Sequence, residues 1–323
     1  MKAYLLTADG PAIAEVPTPA PKPHEILVRV RAAGLNRADL GMAAGHLHGA
    51  AGGVGQVLGL EWAGEVAQVG PDAGSGFVIG QRVMGSGAGA FAEYAVADAG
   101  RVSAMPDGLT FEDAAALPVA LQTMHDAVVT NGALSAGQGV LIQGASSGVG
   151  LMGMLIAKAM GAAFVAGSST NPERRARLKD FGADLAVDTS DPAWVAQLLD
   201  ATGGKGVDLV VDQVSGAIAN QTLAATRIGG RIVNVGRLGG MHGDFNFDLH
   251  ALRRITYVGV TFRTRSGAEV REIVRRMRED LWPAVAAGRL NLPVDRVFPL
   301  DQAGEALAHM RANAHFGKVV LST

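Results

Sequence analysis

The sequence predicts an α/β protein with two domains, a β-barrel-like domain and a doubly wound domain built on a parallel sheet. Length is the first reason, because 323 residues exceed the roughly 100 to 200 residues of an average domain. The second is a change of pattern after Asp113, where short strands between Gly and Pro residues give way to alternating strands and helices. The 44 glycines show no collagen-like period and indicate many tight turns.

Residues 1 to about 120 consist of short predicted strands, among them KAYLLT, EWAGEVAQVG and AFAEYAVA. In ILVRVRA the apolar residues alternate with Arg29 and Arg31, and this period of two indicates a strand with one solvated face. Several such strands at short spacing favour a barrel or sandwich over a parallel sheet.

The middle of the chain, from GVLIQ to ITYVGV, alternates between strands and helices and predicts right-handed βαβ units. A helix over 148–160 follows the first strand. The helix after the second strand has Asn171 as N-cap, Pro172 at its first position and Gly182 beyond its end. Asp191 opens a further helix.

The last part of the chain is expected to pack back on the N-terminal domain. Ser266 and Glu269 have capping-box spacing before a helix that should end near Leu281, and Asp301 is expected to cap another helix. A final strand, KVVLST, follows. The predicted domains are residues 1–121 together with 263–323, and the inserted residues 122–262.

Composition excludes several classes of function. With no cysteine, the chain cannot form disulfides, thiolate zinc sites, iron–sulfur clusters or catalytic thiols. A net charge of −2 and a pI near 6.4 do not suggest a nucleic-acid or anionic-membrane partner. The longest apolar stretch, Val149 to Gly167, is interrupted by Lys158 and crowded with glycines. We therefore expect a cytoplasmic protein without a membrane span and with a small-molecule partner.

The segment GASSGVG, Gly144 to Gly150, lies between a predicted strand and a predicted helix. Glycines let the backbone approach a pyrophosphate closely, and the helix amides stabilise its charge. Ser147 stands where the middle glycine of GxGxxG would be, so the alternative of a ligand-free turn stays open. The residues expected to cradle the phosphates are Gly144, Ser146, Ser147, Gly148 and Val149.

The end of the second strand predicts the cofactor. An NAD site would place an acid there to bind the ribose 2′-hydroxyl. Here Ser168 and Ser169 end the strand, and no acid precedes Glu173. Arg174 and Arg175 follow, and a guanidinium can bind the 2′-phosphate of NADPH. We therefore predict NADPH as cofactor, with a solvated helix face as the alternative role of both arginines.

These segments together resemble the medium-chain dehydrogenase/reductase superfamily, specifically its zinc-free, zeta-crystallin-like NADPH:quinone oxidoreductases. The resemblance covers essentially the whole chain and implies a GroES-like catalytic domain and a Rossmann domain. The segments that carry it are AAGLNRADL (32–40), GLEWAGEV (59–66), AALPVALQT (115–123), GASSGVG (144–150), GRIVNVG (230–236) and HFGKVVL (315–321).

The same resemblance bears on metal binding. Zinc enzymes of this superfamily have a Cys at the position of Asn36 and a His within the segment that is 59–61 here. Glu61 remains, but a catalytic zinc needs three protein ligands. His46 and His48 lie in a Gly-rich loop and more often face solvent. We therefore expect no metal.

The resemblance further implies roles for individual residues. Asn36 would hydrogen-bond the nicotinamide ribose or the substrate oxygen, and Asn36 and Tyr94 are the candidate catalytic residues. The alternative for Asn36 is a structural role, and the alternative for Arg263 and Lys318 is that each is a solvated charge. The residues expected to contact the cofactor outside the phosphate turn are Thr123, Ser168, Ser169, Arg174, Gln213, Gly236, Arg237, Leu238, Phe262, Arg263 and Lys318.

The sequence therefore predicts hydride transfer from NADPH to a quinone, in a cleft that excludes water. Reduction of an enone or enoyl thioester is the first alternative, and an NADPH-binding structural or sensing protein is the second. The sequence offers no convincing proton-donating pair, so water is one proton source. A homodimer is expected through the apolar edge strand ITYVGV.

Overall fold

A computed structural model describes residues 1–74 and 76–323, which form two compact units. The first unit comprises residues 1–119, 262–280 and 291–323, and the second comprises 120–261 and 281–290. The strands of the described residues are β1 Lys2–Thr7, β2 Gly10–Glu15, β3 Glu25–Gly34, β4 Glu61–Val69, β5 Arg82–Ser86, β6 Tyr94–Asp98, β7 Val102–Ala104, β8 Gly139–Ile142, β9 Phe164–Ser168, β10 Leu185–Val187, β11 Val207–Asp212, β12 Thr226–Asn234, β13 Thr256–Gly259, β14 Val294–Pro299 and β15 Lys318–Ser322.

The helices that connect them are mostly short. The α-helices of the described residues are α1 Arg37–Ala43, α2 Phe111–Ala115, α3 Pro118–His125, α4 Gly148–Ala159, α5 Pro172–Arg177, α6 Trp194–Ala201, α7 Ala219–Ala225, α8 Phe247–Arg253, α9 Gly267–Ala286 and α10 Ala303–Arg311. No helix in the described ranges has both the length and the apolar character that a membrane crossing requires.

The first unit is built on a largely antiparallel sheet with strand order β14-β15-β3-β4-β5-β7, and β6 also pairs with β3. Apolar residues from several strands pack in its core, including Val28, Trp62 and Leu321. The C-terminal strand β15 lies against β3, with Leu321 opposite Ala33. This pairing confirms that the end of the chain returns to the N-terminal part.

The second unit contains a six-stranded parallel sheet with order β10-β9-β8-β11-β12-β13. The chain runs outward from β8 to β10, returns to β11 beside β8, and continues to β13. Leu141, Val210 and Ile232 fill the core between this sheet and its helices. This topology confirms the doubly wound α/β domain of the predicted fold class. The strand order of the parallel sheet reverses between β8 and β11, and folds of this kind bind ligands at such a switch point.

Local signals for helix ends are confirmed at three positions. Asn171 Oδ1 accepts a hydrogen bond from the Arg174 N–H, and Gly182 has a left-handed φ of 92°. Ser266 Oγ accepts from the Glu269 N–H, and the Glu269 carboxylate accepts from the Ser266 N–H. These caps depend on contacts within a few residues, which is why the sequence predicts them.

Three predicted helix ends are wrong. Asp191 does not open α6, which begins at Trp194 with Ala193 as its N-cap. Helix α9 continues to Ala286 rather than ending near Leu281, with Pro283 inside it. Asp301 does not cap α10: Gln302 occupies the N-cap position, and the Asp301 carboxylate pairs with Lys2 at 3.0 Å, a contact distant in sequence.

Candidate active site

The glycine turn after β8 is tightly packed against the start of α4. Gly144 has a φ of +66°, a conformation that favours glycine. A Cβ on Gly150 would lie 2.5 Å from the Gly144 carbonyl oxygen and 2.6 Å from Ala145 Cα. Only a residue without a side chain fits there, so the turn brings its backbone close to the helix N-terminus.

Ser147 is the N-cap of α4, and its Oγ accepts from the Gly150 N–H at 3.0 Å. The other first-turn amides of an α-helix, here including those of Gly148 and Val149, have no partner within the helix. Such amides and the positive end of the helix dipole stabilise an anion. The structure therefore places the predicted phosphate-binding residues at a helix N-terminus.

Gln213 joins the two loops at the switch point. Its Nε2 donates to the Gln143 carbonyl oxygen at 2.9 Å, and its Oε1 accepts from Ser147 Oγ at 3.4 Å. These contacts connect the loop after β11 to the turn after β8, where a pyrophosphate would lie in this fold.

The loops after β11 and β12 are held together by polar residues that the sequence analysis missed. Asp212 is buried, and its carboxylate accepts from the amides of Val214 and Ser215, both at 2.8 Å. Burial is the main cause that raises the pKa of Asp212. Ser215 Oγ donates to the Gly236 carbonyl oxygen at 2.8 Å and accepts from Asn234 Nδ2 at 2.5 Å. The sequence feature that could have predicted them is the position of Asp212 and Asn234 at the ends of two predicted strands.

Gly236 and Leu238 belong to this paired loop. A Cβ on Gly236 would lie 2.7 Å from the Gln213 carbonyl oxygen, which also accepts from the Leu238 N–H at 3.1 Å. Between them, Arg237 directs one guanidinium nitrogen toward the Val235 carbonyl oxygen at 3.5 Å. Gly236, Arg237 and Leu238, three of the residues predicted to contact the cofactor, thus form one structured segment.

Arg175 is held at the end of β9. It pairs with Asp188 at 2.8 Å and donates to the Ser169 carbonyl oxygen at 2.9 Å. Ser169 Oγ donates to Ser146 Oγ at 3.1 Å, which links this strand end to the phosphate turn. The neighbouring Arg174 is half-buried in the first turn of α5.

In the first unit, sheet register brings Asn36, Glu61 and Lys318 together. Asn36 follows β3, while Glu61 and Lys318 begin the two strands that flank β3. Asn36 Nδ2 donates to Glu61 Oε1 at 2.8 Å, and Lys318 Nζ donates to Asn36 Oδ1 at 3.0 Å and to Glu61 Oε1. We call these three residues the Asn36 network. Only 8% of Asn36, 4% of Lys318 and none of Glu61 is exposed.

Two neighbours complete the surroundings of this network. The Val119 N–H donates to Glu61 Oε2 at 2.8 Å, and the Asn36 N–H donates to Asp39 Oδ2 at 2.6 Å. Asp39 is fully buried, and its Oδ1 has no hydrogen-bond partner in the structure. Burial raises the pKa of Asp39 to about 7, although the Asn36 amide and the Lys318 cation oppose the shift.

The other predicted residues lie on other elements of the two units. Tyr94 begins β6 and pairs with Arg29, seven residues before Asn36, which is about 20 Å along a strand. Tyr94 is therefore not a member of the Asn36 network. Thr123 lies in α3, and Phe262 follows β13. The Arg263 backbone lies against the loop at Gly49, where a Cβ would be 3.0 Å from the Arg263 oxygen.

Two family models match the chain. One, described as zinc-binding dehydrogenase, matches residues 148–279, and the other, the alcohol dehydrogenase GroES-like domain, matches residues 22–107. Among curated proteins, erythronolide synthase EryA2 of Saccharopolyspora erythraea is 33% identical over 98% of this chain. A mycocerosic acid synthase-like polyketide synthase of Mycobacterium tuberculosis is 32% identical over 98%. The chain spans only 9% and 15% of these two relatives.

Solved structures match the whole chain. A structure of an NAD-dependent alcohol dehydrogenase is 30% identical with a TM-score of 0.85, and the match covers 100% of both chains. A mycobacterial quinone oxidoreductase is 25% identical with a TM-score of 0.88, again over 100% of both chains. Mycobacterial Rv1454c complexed with NADPH matches equally well, at 25% identity and a TM-score of 0.88 over 100% of both chains.

Proposed function

Since this chain belongs to the medium-chain dehydrogenase/reductase superfamily and is an NAD(P)-dependent oxidoreductase, we propose that it transfers a hydride from NADPH to a quinone or a related electron-poor carbonyl compound. The acceptor binds near Asn36, and catalysis requires no metal.

The phosphate turn carries the cofactor part of this proposal. Ser168 and Ser169 occupy the strand end where an NAD site has an acid, and both are buried. We infer that Arg174, in the first turn of the helix that follows this strand, binds the 2′-phosphate. The solved NADPH complex of a structural neighbour agrees with this choice.

A catalytic zinc does not fit the Asn36 network. Glu61 Oε1 and Asn36 Oδ1, the oxygens that a cation would use, already accept hydrogen bonds from the Lys318 ammonium. An ammonium in that position repels a dication, and Asn36 is a poor ligand for zinc compared with Cys or His. Within the described residues, no group of three or more His, Cys, Asp or Glu side chains is arranged to hold a metal. We therefore propose that the site works without zinc.

The cofactor supplies the hydride when bound, and the protein's task is orientation and polarisation. Gly148 and Val149 would hold the pyrophosphate through their amides, and Gly236 would shape the nicotinamide side. Asn36 Nδ2 donates a hydrogen bond to the acceptor oxygen as negative charge develops there. Water is the proposed proton source for the product.

Reduction of a conjugated C=C bond in an enone or enoyl thioester is the second candidate. It is favoured by the likeness to segments of two polyketide synthases. A non-catalytic NADPH-binding protein is the third. NADPH oxidation with quinones, 2-alkenals and enoyl thioesters separates the three. Activity with quinones supports the proposal, activity only with thioesters supports the second, and tight NADPH binding without turnover supports the third.

We also propose a homodimer formed through β13, which ends the parallel sheet. Tyr257 on this strand and Phe247 on the adjacent helix are exposed aromatic residues, and an uncovered edge strand is prone to pairing. Light scattering should give about twice the 33.1 kDa chain mass. A mass of one chain at working concentration contradicts the dimer.

A further inference from the structure

The Lys318 ammonium has no donor left for a ligand. It carries three hydrogens, and three oxygens lie within hydrogen-bond distance: Leu35 O at 2.7 Å, Asn36 Oδ1 at 3.0 Å and Glu61 Oε1. With 4% of the residue exposed, Lys318 influences a bound molecule through the residues that it contacts. The sequence resemblance placed Lys318 in direct contact with the cofactor, which this arrangement does not favour.

The network also fixes which end of the Asn36 carboxamide points where. Its oxygen must face the ammonium, which only donates, and its nitrogen must face the Glu61 carboxylate, which only accepts. A flipped amide would place Nδ2 against Lys318 and Oδ1 against Glu61, and would lose both charge-assisted hydrogen bonds. The pair therefore permits a single orientation.

One hydrogen of Asn36 Nδ2 remains weakly engaged. The first hydrogen is directed at Glu61 Oε1 at 2.8 Å, whereas the other contact of Nδ2, the Gly34 carbonyl oxygen, is 3.5 Å away. A hydrogen bond of that length is weak. Because this contact is weak, a stronger acceptor would compete for the second hydrogen.

We propose that Lys318 and Glu61 are positioning residues: together they lock the Asn36 carboxamide so that its second amide hydrogen is presented to the acceptor oxygen. This inference rests on the proposed function, because it assigns Asn36 the role of contacting the acceptor. Neither charged residue contacts the acceptor itself.

A variant that removes both charges tests the proposal. K318M alone would leave Glu61 as an unpaired buried carboxylate, which is strongly destabilising, so E61Q/K318M is the variant of choice. It is compared with N36A and with the triple variant N36A/E61Q/K318M. The matched control is R31Q/E65Q, which removes the Arg31–Glu65 ion pair (2.8 Å) from the same unit.

We expect N36A and E61Q/K318M each to lower kcat at least about tenfold, as loss or misalignment of a polarising donor does. The KM for NADPH should change less than about twofold, and the control should keep wild-type kcat. Because the pair acts through Asn36, the triple variant should have the kcat of N36A. A triple variant that loses the product of the two factors, or an E61Q/K318M enzyme with wild-type kcat, overturns the proposal.

A second measurement uses the unmodified protein and does not depend on turnover or on the folding of variants. In ¹H–¹⁵N NMR spectra, the Asn36 side-chain amide is identified by its loss in N36A, and its proton bonded to Glu61 should be protected from exchange with water. Rapid exchange of both amide protons would show that the carboxamide is not locked. If none of the tested acceptors supports NADPH oxidation by the wild type, the proposed function fails. The NMR measurement still decides whether the network orients Asn36.

Discussion

Replacing Asp39 with Asn should favour the variant over wild type by an amount that grows as the pH rises from acid to alkaline. Asp39 is fully buried, and its Oδ1 lacks a hydrogen-bond partner. Asn preserves the shape and an oxygen that can accept from the Asn36 N–H, now at 2.6 Å from Asp39 Oδ2. It removes the cost of ionising a carboxyl group away from water.

The sign follows from the raised pKa of Asp39, about 7 in the folded protein against an ordinary value of 3.8. Between these values the folded state binds more protons than the unfolded state, so wild-type stability falls as pH rises through the interval and levels off above pH 7. With 1.36 kcal/mol per pKa unit, the loss between pH 5 and pH 8 is roughly 2 to 3 kcal/mol. D39N should not lose this amount.

Urea unfolding at pH 5 and pH 8 measures the effect. The stability difference between D39N and wild type should grow in favour of D39N by roughly 2 to 3 kcal/mol from the lower to the higher pH. The exposed Asp244→Asn variant is the control, and its difference from wild type should be the same at both pH values. If the D39N difference is also independent of pH, Asp39 is ionised in the folded protein and the reasoning about its burial is wrong.

Three further predictions concern the second unit. R174A should raise the KM for NADPH about tenfold, the effect of losing one charge-assisted hydrogen bond, and leave the KM for NADH unchanged. R177A on the same helix is the control. Equal effects of R174A on the two KM values contradict a 2′-phosphate contact. G150A should weaken NADPH binding at least about a hundredfold in calorimetry, because its Cβ would lie 2.5 Å from a backbone oxygen. G139A is the control and should bind NADPH normally, since the atom nearest to its Cβ is 3.7 Å away. Ser215 has φ 59° and ψ −152°, a region favoured by glycine. S215A loses the hydrogen bonds but keeps the strain, so urea unfolding should show a loss of about 1 to 3 kcal/mol in the free energy of unfolding. S215G relieves the strain and should lose less, and the opposite order would refute a strained Ser215.

The turn at Gly144 and the caps at Asn171 and Ser266 could be predicted from the sequence because each depends on residues a few positions apart. The same locality made the end of α9 and the cap of α10 wrong. The Asp212–Ser215–Asn234 cluster was missed because these residues come from neighbouring parallel strands, and strand order cannot be read from spacing.

The sequence by itself determined the α/β class, the phosphate turn after β8 and the absence of an acid at the end of β9, since backbone geometry and residue chemistry act within short segments. Only the tertiary structure decided that Lys318 lies against Glu61 and Asn36, because 257 positions separate Lys318 from Glu61 and sheet register alone brings them together. It also decided that Arg175 pairs with Asp188, which follows the neighbouring strand β10. This contact forms because β9 and β10 lie side by side in the sheet.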